Sequence, residues 1–113
     1  MSKKPESRLQ LRVQRALRNE WHTSYIRKIH GNEYQHTGIA DLLCCIEGLF
    51  FAIEVKMPGK ELTDLQQNEA MEVDQAGGYA LVVTSPESAV EQVRHVLAMD
   101  RPIKTRAAKR SRA

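Results

Sequence analysis

The 113-residue sequence predicts one α/β domain, built on a small mixed sheet that is flanked by helices. Two observations predict this class. Apolar residues alternate between helical spacing and short continuous runs, in the order helix, three strands, helix, strand, helix. Capping residues, glycines and prolines separate these segments, at the places where turns and helix ends are expected. No apolar run reaches the roughly 18 residues of a membrane span, so no membrane association is expected.

The first helix is predicted over residues 5–20. Leu9, Val13 and Leu17 recur there at helical spacing, and Pro5 suits the first turn. The polar face of this helix is mostly arginine, which indicates an exposed and strongly basic surface.

Four segments are predicted as the strands of the sheet. They cover residues 23–30, 41–46, 49–56 and 79–84, with Glu47-Gly48 as a turn between the second and third. Since both faces of that hairpin are largely apolar, we expect it to be central and covered on both sides.

Two further helices complete the domain. Thr63 and Gln66 form a capping-box pattern before the second helix, which residues 77–78, both glycine, are expected to end. Ser85 is the expected N-cap of the third helix, and Pro102 is expected to end it.

Two stretches are expected to lie outside regular structure. Residues 31–38 read as a loop closed by a glycine. Residues 103–113 are basic and are expected to be a disordered tail, which leaves residues 1–102 as the single domain.

The net charge of +3 conceals a strong asymmetry along the chain. Residues 1–30 hold eight Lys/Arg against two acids, whereas residues 31–100 hold three against twelve. Residues 101–113 hold six Lys/Arg and no acid. Two basic ends around an acidic middle suggest a protein that binds a polyanion while its centre handles a cation, although basic ends can also serve as solubilising surface.

The compartment is predicted from two features. The charged start has no apolar stretch behind it, which argues against a secretory signal. The adjacent Cys44 and Cys45 would point to opposite faces of a strand and are expected to be buried thiols in a reducing environment. We therefore expect a cytoplasmic protein, in a bacterium or in a phage-infected host cell.

Two acids interrupt the apolar hairpin. With a two-residue turn at Glu47-Gly48, Asp41 lies opposite Glu54 on one face, and their Cβ atoms are about 5 Å apart. Lys56 lies two residues beyond Glu54 and points the same way. Two negative charges directly opposite each other are destabilising unless a cation lies between them. Mg²⁺ is a suitable cation, because it is commonly bound through one or two carboxylates. With a metal ion, the three residues would suit phosphodiester hydrolysis.

Structural explanations of the same residues stay open at this point. Asp41 could lie just outside the sheet in solvent, and Glu54 with Lys56 could be an exposed edge pair of little consequence. A three-residue turn would place the two acids on opposite faces.

The ordered set of motifs resembles the VRR-NUC family (virus-type replication–repair nucleases) of the PD-(D/E)XK nuclease superfamily. The motifs are Gly38-x-x-Asp41, then Glu54-Val55-Lys56 after a short hairpin, then LTDLQ, in which Gln66 opens a helix. The resemblance runs from about Glu6 to the last helix. It implies a restriction-endonuclease-like fold of order α-β-β-β-α-β-α. Ala40 occupies a position at which the family usually has proline. Since proline supplies no ligand atom, this difference does not change the expected ligands.

The resemblance assigns roles to individual residues. Asp41 and Glu54 match the metal-binding carboxylates, the carbonyl of Val55 would supply a third oxygen, and Lys56 matches the catalytic lysine. Gln66 matches a glutamine that arranges the site, although it also fits the capping box, and Gln67 could be the aligned residue. Glu6 occupies the place of a helix-borne acid near the metal, or simply favours the helix dipole.

The expected activity is a Mg²⁺-dependent endodeoxyribonuclease, with Mn²⁺ as a possible substitute. Small members of the family resemble Holliday-junction resolvases, which implies branched DNA, DNA repair and a homodimer. Two alternatives stay open: a nuclease on linear or flapped DNA, and a catalytically idle nucleic-acid-binding module. Six basic residues are expected to grip the DNA backbone without reading sequence: Arg8, Arg12, Arg15, Arg18, Arg27 and Lys28.

Overall fold

A computed structural model describes residues 4–30 and 38–111, and the side chains of residues 4–30 and 38–100. The observed order of elements is the predicted one. The expected loop over residues 31–38 falls almost wholly outside the described residues. The elements are α1 (Pro5–Glu20), β1 (Tyr25–Lys28), β2 (Leu42–Ile46), β3 (Leu49–Val55), α2 (Asp64–Gln75), β4 (Tyr79–Val83) and α3 (Pro86–Ser111).

The sheet has the strand order β1-β2-β3-β4, with antiparallel pairing from β1 to β3 and parallel pairing of β4 to β3. Glu47 and Gly48 both have positive φ, 51° and 84°, as a tight two-residue hairpin requires. Ile46 therefore pairs with Leu49, which is the predicted register.

The helix starts follow the predicted capping residues. Pro5 lies in the first turn of α1, and Thr63 forms a complete capping box with Gln66 at the start of α2. The hydroxyl of Ser85 accepts a hydrogen bond from the backbone N–H of Ser88 at the start of α3.

One face of the sheet packs against α1 and α3 and forms the hydrophobic core. Opposed residues such as Ile26, Cys44 and Phe51 share this face across three strands and are essentially inaccessible to solvent. The Phe51 and Tyr79 rings also contact each other on it, with centroids 5.8 Å apart. The helices contribute the remaining buried stripe: Leu9, Val13, Leu17, Ala89, Val93, Val96 and Leu97.

Among the described helices, α2 is the one that covers the second face, and none of its residues is buried. Tyr25 and Phe50 stay exposed on this face, so the expectation that the hairpin is covered on both sides is wrong for part of it. The reason is one of size. A helix about 10 Å wide covers roughly two strands that are about 4.8 Å apart, and this sheet has four strands.

Helix α3 does not end at Pro102 but continues to Ser111. Proline removes the hydrogen bond to the carbonyl of residue 98. The residues that follow are rich in alanine, lysine and arginine, which are strong helix formers, so the backbone stays helical. The division of the chain into a domain of residues 1–102 and a separate tail stays a prediction.

The cysteines differ from each other in their surroundings. Cys44 is buried, and burial raises the pKa of its thiol to about 12. Cys45 is exposed on the other face, so the expectation of two buried thiols is wrong for Cys45. In the part of the chain that the structure describes, no helix combines the length and the apolar character needed to cross a membrane.

Candidate active site

The candidate site lies where β2 begins and β3 ends, on the face that α2 covers. Asp41 precedes β2 by one residue, and the hairpin register places it opposite Glu54. Its Oδ2 atom accepts a hydrogen bond from the backbone N–H of Val55 at 2.8 Å, and its carbonyl accepts one from Ile29 at 2.8 Å. Asp41 is thus fixed to strands on both sides, and the two explanations that would separate the acids, a free solvated Asp41 and a three-residue turn, do not apply.

Glu54 is a buried carboxyl group that contacts Gln66, Lys56 and Asp41. It is 7% exposed, its Oε2 atom accepts a hydrogen bond from the Gln66 amide at 2.9 Å, and the Lys56 ammonium lies 3.8 Å from the same oxygen. Burial raises the pKa of Glu54 to about 7, and the Asp41 charge and hydrogen bond add to the shift, while Lys56 opposes it. The site therefore favours neutralisation of Glu54, by a proton or by a cation.

Gln66 forms the capping box with Thr63 and also contacts the Glu54 carboxylate, so the two interpretations left open by the sequence are compatible. Its Oε1 atom accepts from the backbone N–H of Thr63 at 3.0 Å, and its Nε2 atom donates to Glu54. The helix cap therefore holds this amide in place beside the carboxylate. Gln67 instead donates to the carbonyl of Leu62 at 3.3 Å, so Gln67 is not the residue that contacts the acids.

Lys56 is held close to the site, with a side chain that is 13% exposed. Its backbone N–H donates to the carbonyl of Val83 on β4 at 2.9 Å, which anchors this end of β3. One ammonium group faces the two carboxylates of Asp41 and Glu54, so the charge of the acid pair is only partly compensated.

Glu6 lies in the first turn of α1 and is exposed. Its negative charge makes the smallest contribution to the raised pKa of Glu54, behind burial and the Asp41 charge. Among the described residues, no three His, Cys, Asp or Glu side chains are grouped so that they could hold a metal ion. The acid pair and backbone oxygens are what remains for a cation.

Two of the six expected DNA-contacting residues, Arg18 and Lys28, lie along the seam between α1 and β1. Lys28 donates to the buried Gln10, and Arg18 donates to Gln14 at 3.4 Å and to the carbonyl of Ile26 at 3.0 Å. These contacts hold the charged groups of Lys28 and Arg18 in place and fix α1 against the edge strand.

Arg27 also lies at this edge, but on the face that carries the acids. Its guanidinium group lies over the Tyr25 ring at 4.2 Å, and it donates to the carbonyl of Ile26 at 3.0 Å. Arg8, Arg12 and Arg15 are exposed along α1.

A close contact that the sequence did not predict positions α2 over the site. Gly38 has a φ of +96°, and a Cβ atom placed on it would lie 2.6 Å from the carbonyl oxygen of Leu65, in the first turn of α2. Only glycine allows the helix to begin so close to the strand that carries Asp41. The glycine of the Gly38-x-x-Asp41 motif was the available signal, but the partner of Gly38 was not apparent from the sequence.

The comparisons with known proteins bear on the fold. A solved structure described as a VRR_NUC domain aligns with a TM-score of 0.62 and 23% sequence identity, over 82% of this chain and 98% of that chain. The chain has the fold of a VRR_NUC domain. The resemblance predicted from the sequence is therefore confirmed for the fold. No protein-family model matches the chain, and no curated protein matches its sequence significantly.

Proposed function

We propose that this chain is a metal-dependent endodeoxyribonuclease of the VRR-NUC type, which hydrolyses phosphodiester bonds in branched DNA. The observation that carries the proposal is the opposed acid pair Asp41 and Glu54, with Lys56 and Gln66 both at the Glu54 carboxylate. The fold shared with a VRR_NUC domain supports it, since that name denotes nucleases.

The donor set fits a hard divalent cation. Asp41 and Glu54 offer carboxylate oxygens on one face, and their mutual repulsion leaves the site short of positive charge. We propose Asp41, Glu54 and the Val55 carbonyl as ligands, with Glu6 further out. Bound Mg²⁺ or Mn²⁺ would neutralise the pair, polarise the phosphoryl oxygens and lower the pKa of water.

The residues of the chain have separate roles in the proposed reaction. Lys56 stabilises the negative charge that develops on the phosphoryl group, and Gln66 holds the Glu54 carboxylate in one orientation. Water oxygen forms a bond to phosphorus while one ester P–O bond breaks. The water loses a proton to solvent and the leaving oxygen gains one, so the products are a phosphate monoester and a hydroxyl group.

DNA is the proposed partner, held through its phosphates by the exposed arginines of α1 and by the basic edge at β1. A homodimer would present two such sites related by a two-fold axis, which suits paired cuts at a junction. The cytoplasm is the proposed compartment, since DNA substrates and reduced thiols are both found there.

Cleavage of a labelled four-way junction and of a matched linear duplex tests the proposal. We expect the junction to be cut with Mg²⁺ but not with EDTA, and Lys56→Ala to bind DNA without cutting it. Lys60→Ala is the matched control, because Lys60 is an exposed lysine four residues further along. Equal cutting of both DNAs would support the nuclease activity but contradict the preference for junctions. Binding without cutting under any metal would favour the idle binding module.

A further inference from the structure

The part of the second sheet face that α2 leaves uncovered carries a row of exposed side chains. Tyr25, Cys45 and Phe50 lie directly opposite one another on β1, β2 and β3, and we call them the open row. Tyr25 is 55% exposed and Phe50 is 44% exposed. Two large aromatic side chains on one open surface are unusual where nothing binds, because leaving them in water forgoes their burial.

Arg27 turns one end of the open row into a cationic, planar surface. Its guanidinium group lies over the Tyr25 ring at 4.2 Å, and its hydrogen bond to the carbonyl of Ile26 holds it there. Aromatic rings and guanidinium planes are the groups on which unpaired nucleobases stack, and stacking of this kind tolerates any sequence.

The charges around the row favour bases over phosphates as its occupant. Phe50 lines a cleft together with Glu69 and Glu72 of α2. These carboxylates repel DNA phosphates. A duplex carries its phosphates on its outer surface, so duplex DNA is disfavoured on that side of the row. A single strand can turn its bases toward the row and keep its phosphates on the side of Arg27.

The open row lies on the same face of the sheet as the candidate active site. Asp41 lies four residues before Cys45 along one strand direction and belongs to the same face, so the row is about 14 Å from the acids.

We propose that the open row and Arg27 bind unpaired nucleobases of the DNA substrate by stacking, and so select DNA that has a single-stranded segment near the cut. This inference rests on the proposed nuclease function, and among branched DNAs it favours those with unpaired bases over a fully paired four-way junction. A second copy of the chain is the competing occupant of the same surface.

Binding in EDTA separates this subsite from metal binding and from cleavage. The probes are a blunt duplex and the same duplex with a single-stranded extension that contains 2-aminopurine. We expect Tyr25→Leu/Phe50→Leu to weaken binding of the extended duplex by about fivefold or more, and to abolish the stacking-induced change in 2-aminopurine fluorescence. Binding of the blunt duplex is expected to stay unchanged.

Two control variants test whether a loss of binding is due to the aromatic rings of the open row. Tyr25→Phe keeps the aromatic ring and is expected to bind as the unaltered chain does. Met99→Ala removes an equally exposed apolar side chain from α3, on the other side of the sheet, and is expected to have no effect. Thermal melting establishes that each variant is folded, and light scattering gives its oligomeric state.

The outcomes separate this inference from the proposed function. Equal weakening of both DNAs, or no weakening, would overturn the stacking site, and so would a change of oligomeric state in the double variant. A chain that cuts DNA but shows no role for the row stays a nuclease without this subsite. A chain that cuts nothing, yet loses binding of the extended duplex in the double variant, supports the subsite and overturns the nuclease.

Discussion

The two faces of the sheet differ in what they contribute to the molecule. The face under α1 and α3 is apolar and closed to solvent, whereas the face under α2 carries Asp41, Glu54 and the open row. Phe51 and Glu54 illustrate the difference, since they lie three residues apart on β3 and point to opposite faces. One strand thus contributes to the hydrophobic core on one side and to the candidate active site on the other. Substitutions on the two faces should therefore affect different measurements.

Phe51→Ala should produce the largest loss of stability. Phe51 is completely buried and contacts Tyr79, so its truncation leaves a cavity that costs about 3–5 kcal/mol of unfolding free energy. Chemical denaturation with circular dichroism measures this loss. A cost below about 1 kcal/mol would mean that the core face is less tightly packed than the geometry indicates.

Glu54→Gln should produce the opposite pattern, with lost activity and kept stability. Glutamine preserves the shape and an acceptor for Gln66, but it removes one of the two charges proposed to hold the cation. We expect cleavage to fall by at least about 10³-fold, because several kcal/mol of transition-state stabilisation are lost. Single-turnover assays measure cleavage, and melting at pH 8 measures stability. An active variant, or an unfolded one, would contradict the assignment of cation binding to one face and stability to the other.

Gly38→Ala tests how closely α2 must approach the site. The new Cβ atom would lie 2.6 Å from the Leu65 carbonyl oxygen at a φ of +96°, so backbone strain and overpacking together should cost about 2–4 kcal/mol. The shift of α2 should also move Gln66 and lower cleavage beyond the loss of folded protein.

Gly59→Ala is the matched control for this substitution. Gly59 has a φ of +87°, and a Cβ atom on it would meet nothing within 4 Å, so only the strain of about 1–2 kcal/mol applies. Equal costs for the two variants would show that the contact with Leu65 does not position the helix.

Gln66→Ala should reduce cleavage by about 10- to 100-fold, because the orientation of the Glu54 carboxylate is lost. Thr63→Ala removes only the helix cap and should lower stability by about 0.5–2 kcal/mol with little loss of cleavage per folded molecule. Gln67→Ala should affect neither quantity. If Thr63→Ala reduced cleavage as much as Gln66→Ala does, the role of Gln66 would be confined to the helix cap.

Much of the closed face and of the acid pair could be predicted from the sequence, because local rules determine them. A two-residue turn at Glu47-Gly48 sets the register, and the register alone places Asp41 opposite Glu54. The capping pattern likewise located Gln66 at the start of α2.

The features that could not be predicted depend on how the elements pack in three dimensions. An apolar run shows that a strand is buried but not how far a helix extends over it, so the exposure of Tyr25 and Phe50 was missed. The contact of Gly38 with Leu65 joins segments that are distant in sequence, and the continuation of α3 past Pro102 opposes the local rule for proline.

The smallest expected effect is a pH dependence of stability that arises from Glu54, on the face that carries the candidate site. The folded chain raises the pKa of Glu54 to about 7, above its ordinary value of 4.5, so folding favours the protonated form. The metal-free chain should therefore have the full contribution of Glu54 to stability below about pH 4.5 and lose it as the pH rises through about 7. Glu54→Gln should lack this loss, and Phe51→Ala should retain it. Melting temperatures across this pH range, with EDTA and then with Mg²⁺, measure the effect. A bound cation would take the place of the proton, so Mg²⁺ should stabilise the unaltered chain most at high pH and leave Glu54→Gln largely unaffected.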